Sequence, residues 1–256
     1  MAPTKRPWKT VWIAGGSSGI GLELAKLLDG VIPYVAVSAR SADTLHDLAA
    51  ASKTLVSYPL DVTDADAVSA CVRHIEEAGG PVDLAVMSAG AWSVMEIAEF
   101  DLKALRNGVE TNFMGTANAL KALLPGMIKR GRGHIAIVAS VAGYRGLPRS
   151  AAYGPTKAAL INLAETLRTE LEPHGITISV VNPGFVDTPM TRDNPFPMPG
   201  LMSAEEAAKA LLAGLERRKY EIIFPTGFVL AMKMLRLVPN TVYFWVVRTF
   251  IWKRTP

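Results

Sequence analysis

Seven short apolar runs, at 10–14, 34–38, 54–60, 84–88, 134–139, 177–182 and 220–224, alternate with amphipathic stretches at 20–29, 41–51, 65–78, 102–127, 151–173 and 204–217. Runs so continuously apolar suit strands covered on both faces, and the intervening stretches have the length and period of helices. This alternation predicts an α/β fold, a doubly wound seven-stranded parallel sheet with right-handed crossovers and helices on both faces. No repeat or linker interrupts it. One domain is expected over residues 1–227, followed by an apolar, basic extension over 228–256.

The first strand ends in Ala14-Gly15-Gly16-Ser17-Ser18-Gly19-Ile20-Gly21 and a helix follows directly. Glycines at 15, 19 and 21 let the backbone turn tightly and approach a pyrophosphate, whose charge the free amides of a helix start receive. The second strand ends in Ser38-Ala39-Arg40-Ser41. A carboxylate there would hold a ribose 2′-hydroxyl. Its absence, with Arg40 and Ser41 in its place, suits a 2′-phosphate and favours NADP(H) over NAD(H).

Tyr153 and Lys157 are spaced to share one helix face, and Ser140 closes the run at 134–139. A phenol is a poor base near neutrality. A neighbouring ammonium should favour its ionised form, while a serine hydroxyl can hold the same substrate oxygen. With the glycine pattern, Ser140, Tyr153 and Lys157 in this order, the chain resembles the short-chain dehydrogenase/reductase family in its shorter, single-domain, Rossmann-type branch. The likeness covers roughly residues 8–226. Asp61-Val62 is similar to the family's adenine-contacting pair, Ser88-Ala89-Gly90 to the segment ending strand four, and Asn112 to the asparagine of the catalytic tetrad. Asn182-Pro183-Gly184-Phe185-Val186-Asp187-Thr188 is similar to the segment along the nicotinamide, which implies cofactor contacts from Pro183, Gly184, Val186 and Thr188.

The resemblance implies that Tyr153 is general acid in reduction and base in oxidation. Lys157 lowers its pKa and binds ribose, Ser140 orients the substrate oxygen, and Asn112 carries a water-linked proton path. It also implies a homodimer or homotetramer through the helices at 102–127 and 151–173. Two departures touch one link, since Ala14 stands where the family has Thr and Met87-Ser88 where it has Asn; packing is expected to hold the cofactor floor. A catalytically silent NADP-binding regulator is the alternative, and the intact tetrad disfavours it.

The segment 188–202 carries four prolines, Asp193, Asn194 and Gly200, interleaved with Phe196, Met198, Leu201 and Met202. It reads as a lid. With Trp92 and Tyr144 near the expected mouth, it implies an apolar small-molecule substrate, either lipid-like or a soluble 3-oxoacyl or steroid-type ketone. The net charge of +4 resides in the extension, which holds five cations (Lys233, Arg236, Arg248, Lys253 and Arg254) and no acid. The body is therefore near neutral, and nucleic-acid binding is set aside. Neither apolar tail stretch, 228–238 or 241–252, is long enough to span a bilayer. Both suit two short helices, lying on an anionic membrane surface or packing on protein. The lone cysteine, Cys71, and the lack of a signal-like run at 1–9 suit the cytoplasm, with peripheral membrane contact through the tail. No metal-ligating pattern is present.

Overall fold

The computed structural model describes residues 6–192 and 194–251. Asp193 of the expected lid and Trp252, Lys253 and Arg254 of the tail lie outside them. In chain order the elements are β1 (Thr10–Ala14), α1 (Gly19–Leu28), β2 (Tyr34–Ala39), α2 (Ala42–Ala50), β3 (Leu55–Pro59), α3 (Ala65–Gly79), β4 (Leu84–Met87), α4 (Leu102–Gly108), α5 (Gly115–Arg130), β5 (Gly133–Val138), α6 (Gly154–Leu171) and β6 (Ile176–Pro183). A short parallel pair, β7 (Val186–Asp187) and β8 (Met202–Ser203), precedes α7 (Ala204–Glu216), β9 (Glu221–Phe224), α8 (Thr226–Leu237) and α9 (Asn240–Val246).

The main sheet is seven-stranded and parallel, in the order β3-β2-β1-β4-β5-β6-β9. Strand alternation divides the core into two layers. Val11 and Ile13 of β1 pack with Leu24 and Leu28 of α1 and Leu211 and Leu215 of α7. Trp12 and Ala14 face the other way, toward Ile75 of α3, Leu123 of α5 and Leu160 of α6. Every residue of β1 and β6 is buried, as the continuous apolar runs require. The strand order reverses between β1 and β4, so a crevice opens where their C-terminal ends diverge.

The stretch expected as one helix over 102–127 is interrupted. After α4 the chain makes a π turn, Val109–Met114, before α5 continues to Arg130 and ends at Gly131 in the left-handed region (φ 65°). A single widened turn preserves the apolar periodicity on either side, so pattern alone does not expose it. The segment 188–202 is a loop as expected, and β7 pairing with β8 fastens both of its ends. The tail forms helices, but α8 begins at Thr226, ahead of the expected start at 228, and a π turn, Val247–Ile251, follows α9.

One glycine sets the approach of α6 to the loop after β5. A Cβ on Gly143 would lie 2.7 Å from the Lys157 carbonyl carbon and 2.8 Å from the Ala158 nitrogen. Both contacts are backbone, which cannot swing aside. Gly143→Ala is therefore expected to lower stability by about 1–3 kcal/mol through overpacking. It should also lower activity, because Ser140 and Lys157 lie on the two parts forced apart. Unchanged thermal melting and turnover would refute this reading of the contact.

Candidate active site

Two adjoining cavities open at the C-terminal ends of the strands, and Ser140, Tyr153, Gly184, Met190 and Thr191 line both. The first, about 300 Å³, runs along the turn after β1. It gathers Gly15, Ser17, Ser18, Gly19, Ile20, Arg40, Ser41, Asp61, Val62, Ser88, Ala89, Gly90, Tyr153, Lys157, Pro183, Gly184, Val186 and Thr188, residues spread over much of the sequence. Gly21 is the exception among the expected contacts. Its absent Cβ would sit 2.2 Å from the Gly15 carbonyl oxygen, so it lets α1 pack onto the turn and does not face the cavity. Sequence reasoning missed Ala39, Leu60, Thr111, Val138, Ala139 and the loop residues Met190 and Thr191.

The floor substitutes main chain for the missing side-chain link. Ser88 N donates to the Ala14 carbonyl at 2.8 Å, and a Cβ on Gly15 would meet Ala89 N at 2.4 Å. At the far end Ala39 lines the wall where an acid could have stood, with exposed Arg40 beside it. The Asp61 carboxyl is held below its usual range, first by the Thr63 amide and hydroxyl (2.9 and 2.8 Å) and more weakly by the Arg40 charge.

Tyr153 stands at the start of α6, and Lys157 N donates to its carbonyl at 3.1 Å, the expected single turn. Lys157 is buried, and its Nζ donates to the Val138 carbonyl at 2.8 Å and lies 5.4 Å from the Tyr153 ring centre. Burial lowers the lysine pKa to about 8. Burial also pushes the phenol up to about 12, opposed by a hydrogen bond with the Ser140 hydroxyl. This corrects the expected direction. Desolvation of the phenolate outweighs the hydrogen bond from Ser140, so the tyrosine rests as a neutral acid. Ser140 is itself fixed by accepting from Ala142 N at 3.1 Å.

Asn112 lines neither cavity. Its Oδ1 accepts from Ala91 N at 2.7 Å, and its Nδ2 donates to the Ala91 carbonyl at 3.1 Å and to Thr156 Oγ1 at 2.9 Å. It ties the segment after β4 to α6 from within the π turn, a positioning contact and not a cavity-facing one.

The second cavity, about 580 Å³, has mainly apolar walls: Trp92, Val141, Leu147, Phe185, Phe196, Met198, Phe228, Met232 and Phe250 among them. The Trp92 ring meets Tyr153 edge-on at 4.9 Å, and its Nε1 donates to Asn194 Oδ1 at 2.9 Å, which fixes the lid against it. Phe196 and Met198 are lining residues as expected. Tyr144 is not. It is buried, its hydroxyl donates to Glu221 at 2.6 Å, and it borders a separate depression. The turn Val141–Gly143 rotates it away from Ser140. Phe228, Met232 and Phe250 come from the tail, whose apolar runs were the only sequence signal for them.

A family model described as short chain dehydrogenase matches residues 9–196. An uncharacterized oxidoreductase of Myxococcus xanthus is 35% identical over 240 residues, covering 92% of this chain and 95% of its own length. A ketoacyl reductase of a Nostoc species is 31% identical, over 84% of this chain and 78% of its own. Among solved structures, a short chain dehydrogenase from Burkholderia cenocepacia in complex with NADP superposes with a TM-score of 0.82 at 26% identity, covering 94% of this chain and 97% of its own.

With its pKa near 8, Lys157 carries its charge below that pH and loses it above, while Tyr153 stays protonated throughout. Carbonyl reduction at this site should therefore be level up to neutrality and fall above it with a midpoint at about pH 8. Lys157→Met should be slower everywhere and lack that fall. A pH–rate profile of the variant parallel to the parent's would remove Lys157 from the ionisation.

Proposed function

The chain belongs to the short-chain dehydrogenase/reductase family of NAD(P)-dependent oxidoreductases, and we propose that it interconverts a carbonyl and an alcohol on an apolar, lipid-like substrate with NADP(H) preferred over NAD(H). One observation carries this reading: the more polar, glycine-floored cavity and the apolar cavity meet at Ser140 and Tyr153. The first fits a dinucleotide. Gly15 lets the turn close against the Ala89 backbone, and Ser17 to Ile20 line the wall where the free amides of α1 can receive a pyrophosphate. Bound there, a nicotinamide supplies or accepts the hydride.

The chain's own residues handle the oxygen and its proton. The Tyr153 hydroxyl donates to a carbonyl oxygen as the carbon is reduced, and the reverse reaction draws on the small phenolate fraction that the raised pKa leaves. The Ser140 hydroxyl holds the same oxygen in reach. Lys157 places a positive charge behind the phenol and keeps its remaining donors for ribose hydroxyls. Trp92, Phe185 and Phe196 exclude water from the reacting centre.

The NADP(H) preference rests on Ala39 and Arg40. Arg40→Ala should weaken NADPH binding by about 10- to 100-fold, the scale of one charged hydrogen-bonded contact, with NADH little changed. Equal losses for the two would show that Arg40 does not read the 2′-phosphate. Tyr153→Phe should lower turnover of any accepted ketone by about 10²- to 10⁴-fold. A variant as fast as the parent would overturn the assignment of the acid.

The reading extends to assembly and placement in the cytoplasm. A homodimer through α4, α5 and α6 is supported by Leu102, Val109, Met114 and Ile128, apolar side chains exposed along α4, the π turn and α5. Among the described residues no helix is long and apolar enough to cross a membrane. Leu230, Met234 and Leu237 nevertheless form an exposed stripe on α8, and Phe244 and Trp245 are exposed on α9; Arg236 of α8 and Arg248, just past α9, are exposed as well. That combination supports peripheral contact with an anionic bilayer. Co-sedimentation with phosphatidylglycerol vesicles but not phosphatidylcholine vesicles is the expected result. Indifference to both would remove the membrane from the reading.

A further inference from the structure

Three consecutive residues after the serine turn, Tyr144, Arg145 and Gly146, each hold a different part of the C-terminal helices. The Tyr144 hydroxyl donates to Glu221, which also receives the Lys233 ammonium of α8. The Arg145 guanidinium donates to the carbonyls of Leu235, Arg236 and Val238 at 3.0, 3.3 and 3.1 Å, and to Asn240 Oδ1 at 2.5 Å. It also lies 4.1 Å over the ring of Tyr243 on α9, whose hydroxyl donates to the Gly146 carbonyl at 2.5 Å.

The carbonyls at a helix C-terminus lack intrahelical partners. A cation there satisfies them and meets the negative end of the helix dipole. Arg145 does this for α8 and stacks on α9 with the same planar group, a geometry that lysine cannot reproduce. The grip matters because these helices and the π turn after α9 bury little of themselves: Val229, Met232, Tyr243 and Val247 are buried, while their outer faces stay exposed. Yet they supply Phe228, Met232 and Phe250 to the wall of the apolar cavity.

We propose that Arg145 is a specificity-determining positioning residue: by capping α8 and stacking on α9 it fixes the apolar wall that those helices supply, and so sets affinity for long apolar substrates. The proposal rests on the reading of this cavity as a carbonyl substrate site. A wall that is already ordered costs a ligand nothing to arrange, whereas an untethered one must be ordered by binding. Only a substrate long enough to reach the wall feels the difference. A short ketone meets Ser140, Tyr153 and Trp92 and little of the tail.

The test is steady-state NADPH oxidation with a series of 2-ketones from butanone to 2-tridecanone, using the full chain. Arg145→Ala should raise KM for the longest ketones by about tenfold, the scale of one apolar pocket contact, while KM and kcat for the shortest stay as in the parent. Arg145→Lys should fall between them. A rise in KM uniform across the series, or none at all, would overturn the proposal.

If Arg145→Ala does not fold, Asn240→Ala and Tyr243→Phe each remove one contact of the grip, and each should give a smaller effect with the same dependence on length. Two folded variants without it would also overturn the proposal. Quenching of tryptophan fluorescence by 2-tridecanone gives a readout independent of turnover, because Trp92 lines the cavity. If the parent binds this ketone but reduces none, the catalytic reading fails, and the tether still stands or falls on whether Arg145→Ala weakens the quenching.

Discussion

A buried lysine with no carboxylate partner among the described residues is the constraint around which this site is arranged. Taking an ammonium out of water is expensive unless fixed dipoles replace the lost solvent. Lys157 obtains that from the Val138 carbonyl at the end of β5, which ties the first turn of α6 to the sheet. The same approach brings Tyr153 beside Ser140 and needs Gly143 under the helix. Ser140, Tyr153 and Lys157 are thus positioned by one helix–loop contact and one charged hydrogen bond. The lysine pKa near 8 is the electrostatic consequence of that burial.

Most of this was legible in the sequence because its signals are local. Parallel strands covered on both faces leave continuous apolar runs, a four-residue spacing puts two side chains on one helix face, and a pyrophosphate turn demands glycine. What stayed illegible depends on how distant parts meet. Gly21 belongs to the glycine pattern, yet its role is to let α1 touch Gly15. Tyr144 lies only four residues after Ser140, but a single tight turn and a hydrogen bond to Glu221 point it elsewhere. The phenol's pKa shows the same limit. Spacing reveals the neighbouring cation and says nothing of the burial that pushes the phenol up.

The departures at Ala14, Met87 and Ser88 show how side-chain chemistry can be replaced without moving the backbone. Any residue supplies an amide and a carbonyl, so the Ser88 to Ala14 hydrogen bond survives the loss of a threonine and an asparagine. The burial of Ala14 and Met87 then fills the floor with apolar contact. The site's geometry is therefore set by strand register, which the hydrophobic layers on both faces enforce.

The tail turns on a different balance. Its helices bury few side chains, and apolar contact alone is non-directional, so it would not fix their angle to the cavity. Beside the Arg145 grip, direction comes from the half-buried Glu221. Burial alone would raise its pKa, but hydrogen bonds from Lys233, Tyr144 and Asn182 hold it below the usual range. A carboxylate with three donors has one arrangement that satisfies it. Such a group contributes little net stability and much to uniqueness of placement. It joins α8 to β9, to β6 and to the residue just beyond the serine turn. The wall of the apolar cavity is thereby referred to the same segment that carries Ser140. The apolar stripe on the opposite side of α8 takes no part in that linkage, which leaves it available to an outside surface while the inner face remains a fixed part of the cavity.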